Sequence, residues 1–423
     1  MNPADFAYRK GSVMRARGFF QGAVCKAVIA AALALGVVGD VMGMNESSGN
    51  ARMDQAAAYS DQGVAFREQS DYPRALEWFQ KALAIQEKAL GKEHPDTAAT
   101  YHDIGLTYNR QGKYEEALAW YRKALAAREK VLGKGHPDTA TTYNNIGMAY
   151  SRQGNYEEAL AWCRKALAAR EKTLGKEHSD TATTYNNIGV VYVHQGNYEE
   201  ALAWHRKALA IQEKVLGKEH SNTATTYNNI ALAQSRQGND EEALKWYRKA
   251  LAVFEKALGK GHPDTATTYN NIANVYSRQG NNEEALEWYW KFLAVQEKVL
   301  GKEHPNTAVA YNNIAQAYSY QGMYEKALEW HRKALAVSEK ALGKAHPITA
   351  MIHNNIGLAY YYGQGDHEKA LAELLKAYGI RRHALGETHP DTMDTKASME
   401  TIYQETAAAR QKPFARWLEE ALR

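Results

Sequence analysis

Apolar residues along this chain fall into short helical stripes that alternate with polar turns. Tyr101, Ile104, Gly105 and Tyr108 recur at i, i+3, i+4 and i+7, and a second stripe runs through Tyr114, Ala117, Leu118, Tyr121, Ala124 and Leu125. Each pattern predicts an amphipathic helix with one apolar face. Gly112, in the turn "RQGKY", separates the two, and Gly133 stands where a left-handed C-cap is wanted. Asp138, next to Pro137, is placed to cap the helix that follows. The predicted unit is therefore a helical hairpin.

The unit returns down the chain. His94, His136, His178, His220, His262, His304 and His346 stand 42 residues apart, and His389 follows after 43. A fixed period in this range is the signature of a solenoid, whose units bury their apolar faces against one another. The extra residue before His389 is assigned to Gly363 and placed in a turn. The repeats occupy 51–390, after an N-terminal segment of 1–50 and before degenerate capping helices in 391–423. In that last segment Lys396 and Glu400 stand where Tyr and a small residue are expected.

The arrangement Tyr101-x-x-Ile104-Gly105-x-x-Tyr108 followed by Ala117-x-x-x-Tyr121 resembles the tetratricopeptide repeat, with Tyr where that motif carries Trp. The longer 42-residue unit, with "YNNIG", "RQGNYEEAL", "REKVLGK" and "HPDTA", is similar to the repeats of kinesin light chains and their bacterial relatives. The resemblance implies an all-α, right-handed superhelical solenoid of helix-turn-helix tetratricopeptide repeats, covering about residues 52–404. No heptad segment precedes the repeats here, so association with a motor heavy chain is not expected.

Six Asn pairs interrupt the first helices although Asn costs roughly 0.5–0.7 kcal/mol against Ala in a helix interior. In tetratricopeptide arrays the first helices line a concave groove. The resemblance therefore implies that Asn145, Asn187, Asn229, Asn271, Asn313 and Asn355 bind the backbone of an extended peptide there, an amide offering both donor and acceptor. The competing use of the same amides is hydrogen bonding between neighbouring first helices. Positions that differ between repeats mark a ligand-reading face or surface drift: Leu106, Met148, Val190, Leu232, Asn274, Gln316 and Leu358 form one such series. A second series, Arg110, Arg152, His194, Arg236, Arg278, Tyr320 and Tyr362, carries four arginines whose guanidinium groups favour an acidic peptide because they bind carboxylates bidentately. Asp61 and Asp103 are the acidic exceptions at the N-terminal end.

Composition removes other classes. Lys and Arg number 52 against 48 Asp and Glu, a net charge of +4, and that near balance argues against a nucleic-acid partner, which usually meets a concentrated basic face. Two cysteines, Cys25 and Cys163, exclude a disulfide framework and a cysteine-rich zinc site. The regular histidines lie about 10 Å apart from one repeat to the next and so cannot share an ion; they are read as loop-packing groups, and the Trp78 to Trp330 column as packing along the array. No nucleophile with its base, phosphate loop or metal motif is present, so neither enzyme activity nor a cofactor is expected. The apolar run "AVIAAALALGVVG" after Arg9, Lys10, Arg15, Arg17 and Lys26 has the form of an export signal or, uncleaved, an N-terminal membrane anchor; without a working segment the chain would be cytoplasmic. The reading is a non-enzymatic, monomeric scaffold for a protein or peptide ligand, with structural self-association as the alternative.

Overall fold

The computed structural model describes residues 44–69 and 71–422. The basic and apolar stretch read as a signal or anchor lies outside them. Helical hairpins follow one another along the chain: Met44–Glu68 with Tyr72–Ala89 (repeat 1), Pro95–Arg110 with Tyr114–Val131 (repeat 2), Pro137–Arg152 with Tyr156–Leu174 (repeat 3) and Ser179–Gln195 with Tyr198–Val215 (repeat 4). They continue with Ser221–Arg236 and Asp240–Ala257 (repeat 5), Pro263–Arg278 and Asn282–Val299 (repeat 6), Pro305–Tyr320 and Tyr324–Leu342 (repeat 7), and Pro347–Gln364 and His367–Leu385 (repeat 8). Helix Pro390–Gln404, a short 3-10 turn at Ala407–Arg410 and helix Phe414–Ala421 close the array. The result is an all-α solenoid of repeated hairpins, as the periodicity predicts. The stretch "NESSGN", which reads as a linker, is instead part of the first helix, which starts at Met44.

Within each hairpin a small residue lets the two helices touch. A methyl carbon placed on Gly105 would lie 2.8 Å from the Tyr121 ring and 3.1 Å from the Ala117 carbonyl oxygen. The same close approach sets Gly147 on Cys163, Gly189 on His205 and Gly357 on Leu374. Burial pushes the Cys163 thiol up to about 12, so this cysteine packs as a small apolar group and has no thiolate to offer. Between helices, the Tyr143 ring sits 5.8 Å from that of Trp162 and Tyr227 5.6 Å from Trp246, each Trp carrying a Lys ammonium over its outer face, as Lys165 does at 4.0 Å. The tryptophan column thus packs along the array beneath a row of cations.

Two local predictions need correction. The residue at the N-cap is His136, not Asp138: its Nδ1 accepts the Asp138 backbone N–H at 3.2 Å. His94, His178, His220, His262, His304, His346 and His389 do the same, which explains their regular return. A ring nitrogen can stand in for the usual capping oxygen only while it is unprotonated. The second correction concerns the inserted residue. Gly363 lies inside helix Pro347–Gln364, and the left-handed cap moves to Gly365. The insertion extends the helix toward repeat 7, and only glycine fits, because a methyl carbon on Gly363 would overlap Tyr324 Cβ.

Glycine-to-alanine changes therefore separate packing from propensity. Gly379 lies in helix His367–Leu385 with no neighbouring atom within 4 Å of an added methyl. Gly379→Ala is expected to raise stability by up to about 1 kcal/mol, and Gly363→Ala to lower it by about 1–3 kcal/mol, read as opposite shifts of the urea midpoint.

Candidate functional site

The first-helix asparagines form a ladder from repeat to repeat. Asn187 Nδ2 donates to Asn144 Oδ1 at 2.6 Å, Asn271 to Asn228 at 3.3 Å, Asn313 to Asn270 at 2.6 Å and Asn355 to Asn312 at 3.2 Å. Asn145 meets His102, which occupies the first-Asn position of repeat 2, at 3.0 Å. The first Asn of a pair also reaches its own second helix: Asn186 Oδ1 lies 2.8 Å from His205 Nδ1, and Asn312 Oδ1 2.9 Å from His331 Nδ1. A net hydrogen bond of about 1 kcal/mol offsets the helix cost of each Asn. At the N-terminal end an ion pair replaces the amides: buried Arg67 donates to Asp103 Oδ1 at 2.6 Å.

The candidate groove residues divide by access. Asn187, Asn229 and Asn271 are buried, whereas Asn145, Asn313 and Asn355 are half-buried. Among the arginines, Arg110 is 3.3 Å from Glu68 and Arg278 is 2.5 Å from Asp240 of the preceding repeat. Arg152 is half-buried and Arg236 exposed. In the other variable series Leu106 and Leu232 are buried, and Met148, Val190, Asn274, Gln316 and Leu358 keep part of their surface open.

A contact that periodicity alone does not reveal runs between distant repeats. A methyl carbon on Gly112, in the turn of repeat 2, would lie 2.9 Å from Pro347 Cδ and 3.2 Å from His346 Nε2 at the start of repeat 8. One on Gly154, in the turn of repeat 3, would lie 3.1 Å from His389 Cδ2 at the start of the closing helix. Tyr72, which opens the second helix of repeat 1, is buried in the same apolar cluster as Val309 and Ile348. The array therefore winds round until its early turns rest on its late loops, six repeats further on. We call this contact the seam.

The seam changes the chemistry of otherwise equivalent residues. The side chains of His94, His136 and His178 are 39%, 40% and 42% exposed, while His304 and His346 are buried. Burial, joined at His304 by the nearby Arg110 cation, holds both imidazoles down at about 4. His205 and His331, enclosed within their hairpins, are held down at about 3 by burial. The signal for the seam was present in the sequence: Ile348 stands where repeats 2, 3, 4 and 6 carry Asp96, Asp138, Asp180 and Asp264. An ionised carboxylate would be costly in that buried place. Among the described residues no group of three or more His, Cys, Asp and Glu is arranged to hold a metal ion, and no helix is long and apolar enough to cross a membrane.

Comparison with known proteins gives the same architecture. A tetratricopeptide repeat family model matches residues 54–130, 106–172, 138–213, 180–256, 222–298, 264–340 and 321–383. A crystal structure of a kinesin light chain-like protein of Podosopora anserina with nearly identical repeats is similar at 26% identity, covering 48% of this chain and 97% of that one with a TM-score of 0.40. Aspartyl phosphate phosphatase F from Bacillus subtilis is similar in fold at 16% identity, covering 83% and 98% with a TM-score of 0.53. A tetratricopeptide repeat protein from Parabacteroides merdae is 20% identical over 72% of this chain and 99% of its own, with a TM-score of 0.45. No curated protein sequence matches.

The buried amides and imidazoles generate two expectations. Asn187→Ala strips Asn144 Oδ1 of a buried donor and should lower stability by about 1–3 kcal/mol, seen in the urea midpoint. For the histidines the folded-state pKa lies below the unfolded value near 6.5, so the unfolded chain takes up protons first. Their contribution is complete above about pH 6.5 and falls, by about 1.4 kcal/mol per pH unit for each group, as pH drops toward the folded value. His205→Tyr, which copies Tyr247 of the next repeat, should flatten that decline in a pH series of urea melts.

Proposed function

We propose, from the premise that this chain belongs to the tetratricopeptide repeat family, that it is a scaffold holding an extended acidic segment of a partner protein along its first-helix face. Solenoids of this class generally serve non-enzymatic protein–protein interaction. The observation that carries the finer reading is the contrast along that face between a constant frame and variable open positions. Tyr, Ile and the Asn ladder fix the backbone, while Asn274, Gln316 and Leu358 vary and remain partly open. The amides do not all serve the ligand. Asn187, Asn229 and Asn271 are buried within the frame, and Asn355 gives its amide hydrogens to Asn312 and Gln316, which leaves the half-buried Asn145 and Asn313 to offer a second amide hydrogen to a peptide carbonyl.

Charge selection belongs to the ends of the first helices. Arg236 is exposed, and the Arg278 guanidinium, 42% exposed beside Asp240, keeps donors available in its fork. Arg110 and Arg152 are less accessible and add to the positive field at the N-terminal side. The N-terminal basic and apolar segment, in this reading, delivers the scaffold to the exported side of a membrane or anchors it there.

A fluorescence screen of peptides against the full chain tests the binding reading. Peptides rich in Asp and Glu should bind preferentially, and Arg236→Ala with Arg278→Ala should weaken them about tenfold, a loss of about 1.4 kcal/mol. The urea midpoint should hardly move, since exposed ion pairs contribute about 0–1 kcal/mol. Equal binding of acidic and neutral peptides, or an unchanged affinity in the double variant, would remove the acidic-ligand reading. For localisation, cell fractionation should find the full chain outside the cytoplasm and a chain lacking residues 1–43 within it.

A further inference from the structure

The seam leaves one edge of the array unused at each end. Turns of repeats 1 to 3 lie on the loops that open repeats 7 and 8 and the closing helix, whereas among the described residues no atom lies within 4 Å of a methyl carbon placed on Gly322 or Gly365, in the turns of repeats 7 and 8. Among the described residues the loops that open repeats 2 and 3 carry no turn of another repeat, and His94 and His136 there stay open to solvent. The sequence treats these free edges unevenly. Tyr72 and Tyr114, which open the second helices of repeats 1 and 2, are buried; off the seam repeat 4 keeps a half-buried Tyr198, and repeats 5 and 6 carry Asp240 and Asn282 at that place. Polar residues there suit an edge that faces water.

Repeats 7 and 8 reverse the trend. Tyr324 returns at the opening position, and the turn beside it exposes Tyr320 at 58% and Met323 at 44%. In repeat 8 Tyr362 is 66% exposed. Arg110, Arg152, Arg236 and Arg278 occupy the place of Tyr320 in earlier repeats, and Lys113 or Asn that of Met323. Apolar groups have thus collected on the turn edge of repeats 7 and 8. Their clustering matters more than any single exposed ring, because scattered apolar residues are normal on protein surfaces.

The loops supply the matching surface. In the seam, a glycine turn seats on a His–Pro step, as Gly112 does on His346 and Pro347. Among the loops with no turn above them, repeats 2 and 3 are neighbours that both carry it, as His94-Pro95 and His136-Pro137, while repeats 4 and 5 carry His178-Ser179 and His220-Ser221. Two adjacent His–Pro loops at one end answer two adjacent apolar turns at the other. We propose that a second copy of this chain docks there, the loops of its repeats 2 and 3 on the turns of repeats 7 and 8, continuing between molecules the seam made within one. The chain sequence led us to expect a monomer; this surface points instead to reversible head-to-tail association. The contact joins different patches, so it is heterologous and propagates until the rotation closes. Two loop–turn pairs make a small interface, which places the association among weak, concentration-dependent ones.

Sedimentation of the full chain over a wide concentration range tests this. Tyr320→Glu with Tyr362→Glu blocks the turn edge. Pro95→Glu with Pro137→Glu blocks the loop edge, with the new acids at helix N-termini where the dipole favours them. Wild type should grow in mass with concentration, and each double variant alone should remain monomeric with unchanged helix content, its dissociation constant raised about tenfold or more. An equimolar mixture of the two variants should form dimers and nothing larger, because one intact edge of each kind remains. A wild type that stays monomeric throughout, or assembly that survives in both variants, would overturn the proposal. Peptide affinity of Pro95→Glu with Pro137→Glu, which leaves the first-helix ends unchanged, reports on the groove separately from this outcome.

Discussion

A helical hairpin of this size cannot bury both of its broad faces by itself, so every repeat depends on contact with the next, and here that contact is almost the same each time. The ladder of asparagines, the Tyr–Trp ring pairs and the small residue under Tyr121, Cys163, His205 or Leu374 recur with only local substitutions. Repeating one step of fixed rotation and rise generates a screw. With eight hairpins the screw is long enough for its turns to meet. The seam at Gly112 and Gly154 is thus a geometric result of uniform stacking, and repeat 8 meets it with Ile348 while the closing helix keeps Asp391 at the same position.

The hairpins, their turns and the helical boundaries were legible because each rests on short-range chemistry that repeats: the 3.6-residue apolar stripe, left-handed glycines such as Gly112 and Gly133, and a fixed loop. The capping histidine was harder to read, since oxygen side chains dominate at N-caps and Asp138 lies only two residues away. Gly363 misled for a related reason. Glycine marks turns more often than contacts, but here its missing Cβ admits Tyr324. The seam was hidden because it joins residues about 235 positions apart, as Gly112 and His346 show. Only departures from the repeat, above all Ile348 in place of Asp, recorded it.

Of the candidate site, the amides illustrate why a repeated motif is ambiguous. An Asn that recurs at every step can be a ligand contact or a part of the step itself, and spacing does not distinguish them. Burial does: Asn187 and Asn271 donate within the frame, while the outer members of the row keep an open edge. Arginines at the helix ends are divided in the same manner. In the function proposed above, selectivity then belongs to the variable rim and not to the constant floor.

Near-identity has a consequence for how such a chain reaches its fold. A first helix from one repeat offers nearly the same surface as any other, so during folding a hairpin can pair with the wrong neighbour at little cost, and multi-repeat chains are prone to such trapped arrangements. Shifted stacks would share most native contacts and differ little in energy. The seam breaks that degeneracy. Burial of Tyr72 in one cluster with Val309 and Ile348 requires the intervening repeats to be stacked in order with none looped out. A contact that adds little area therefore acts as a length gauge, widening the gap between the ordered array and its near-copies.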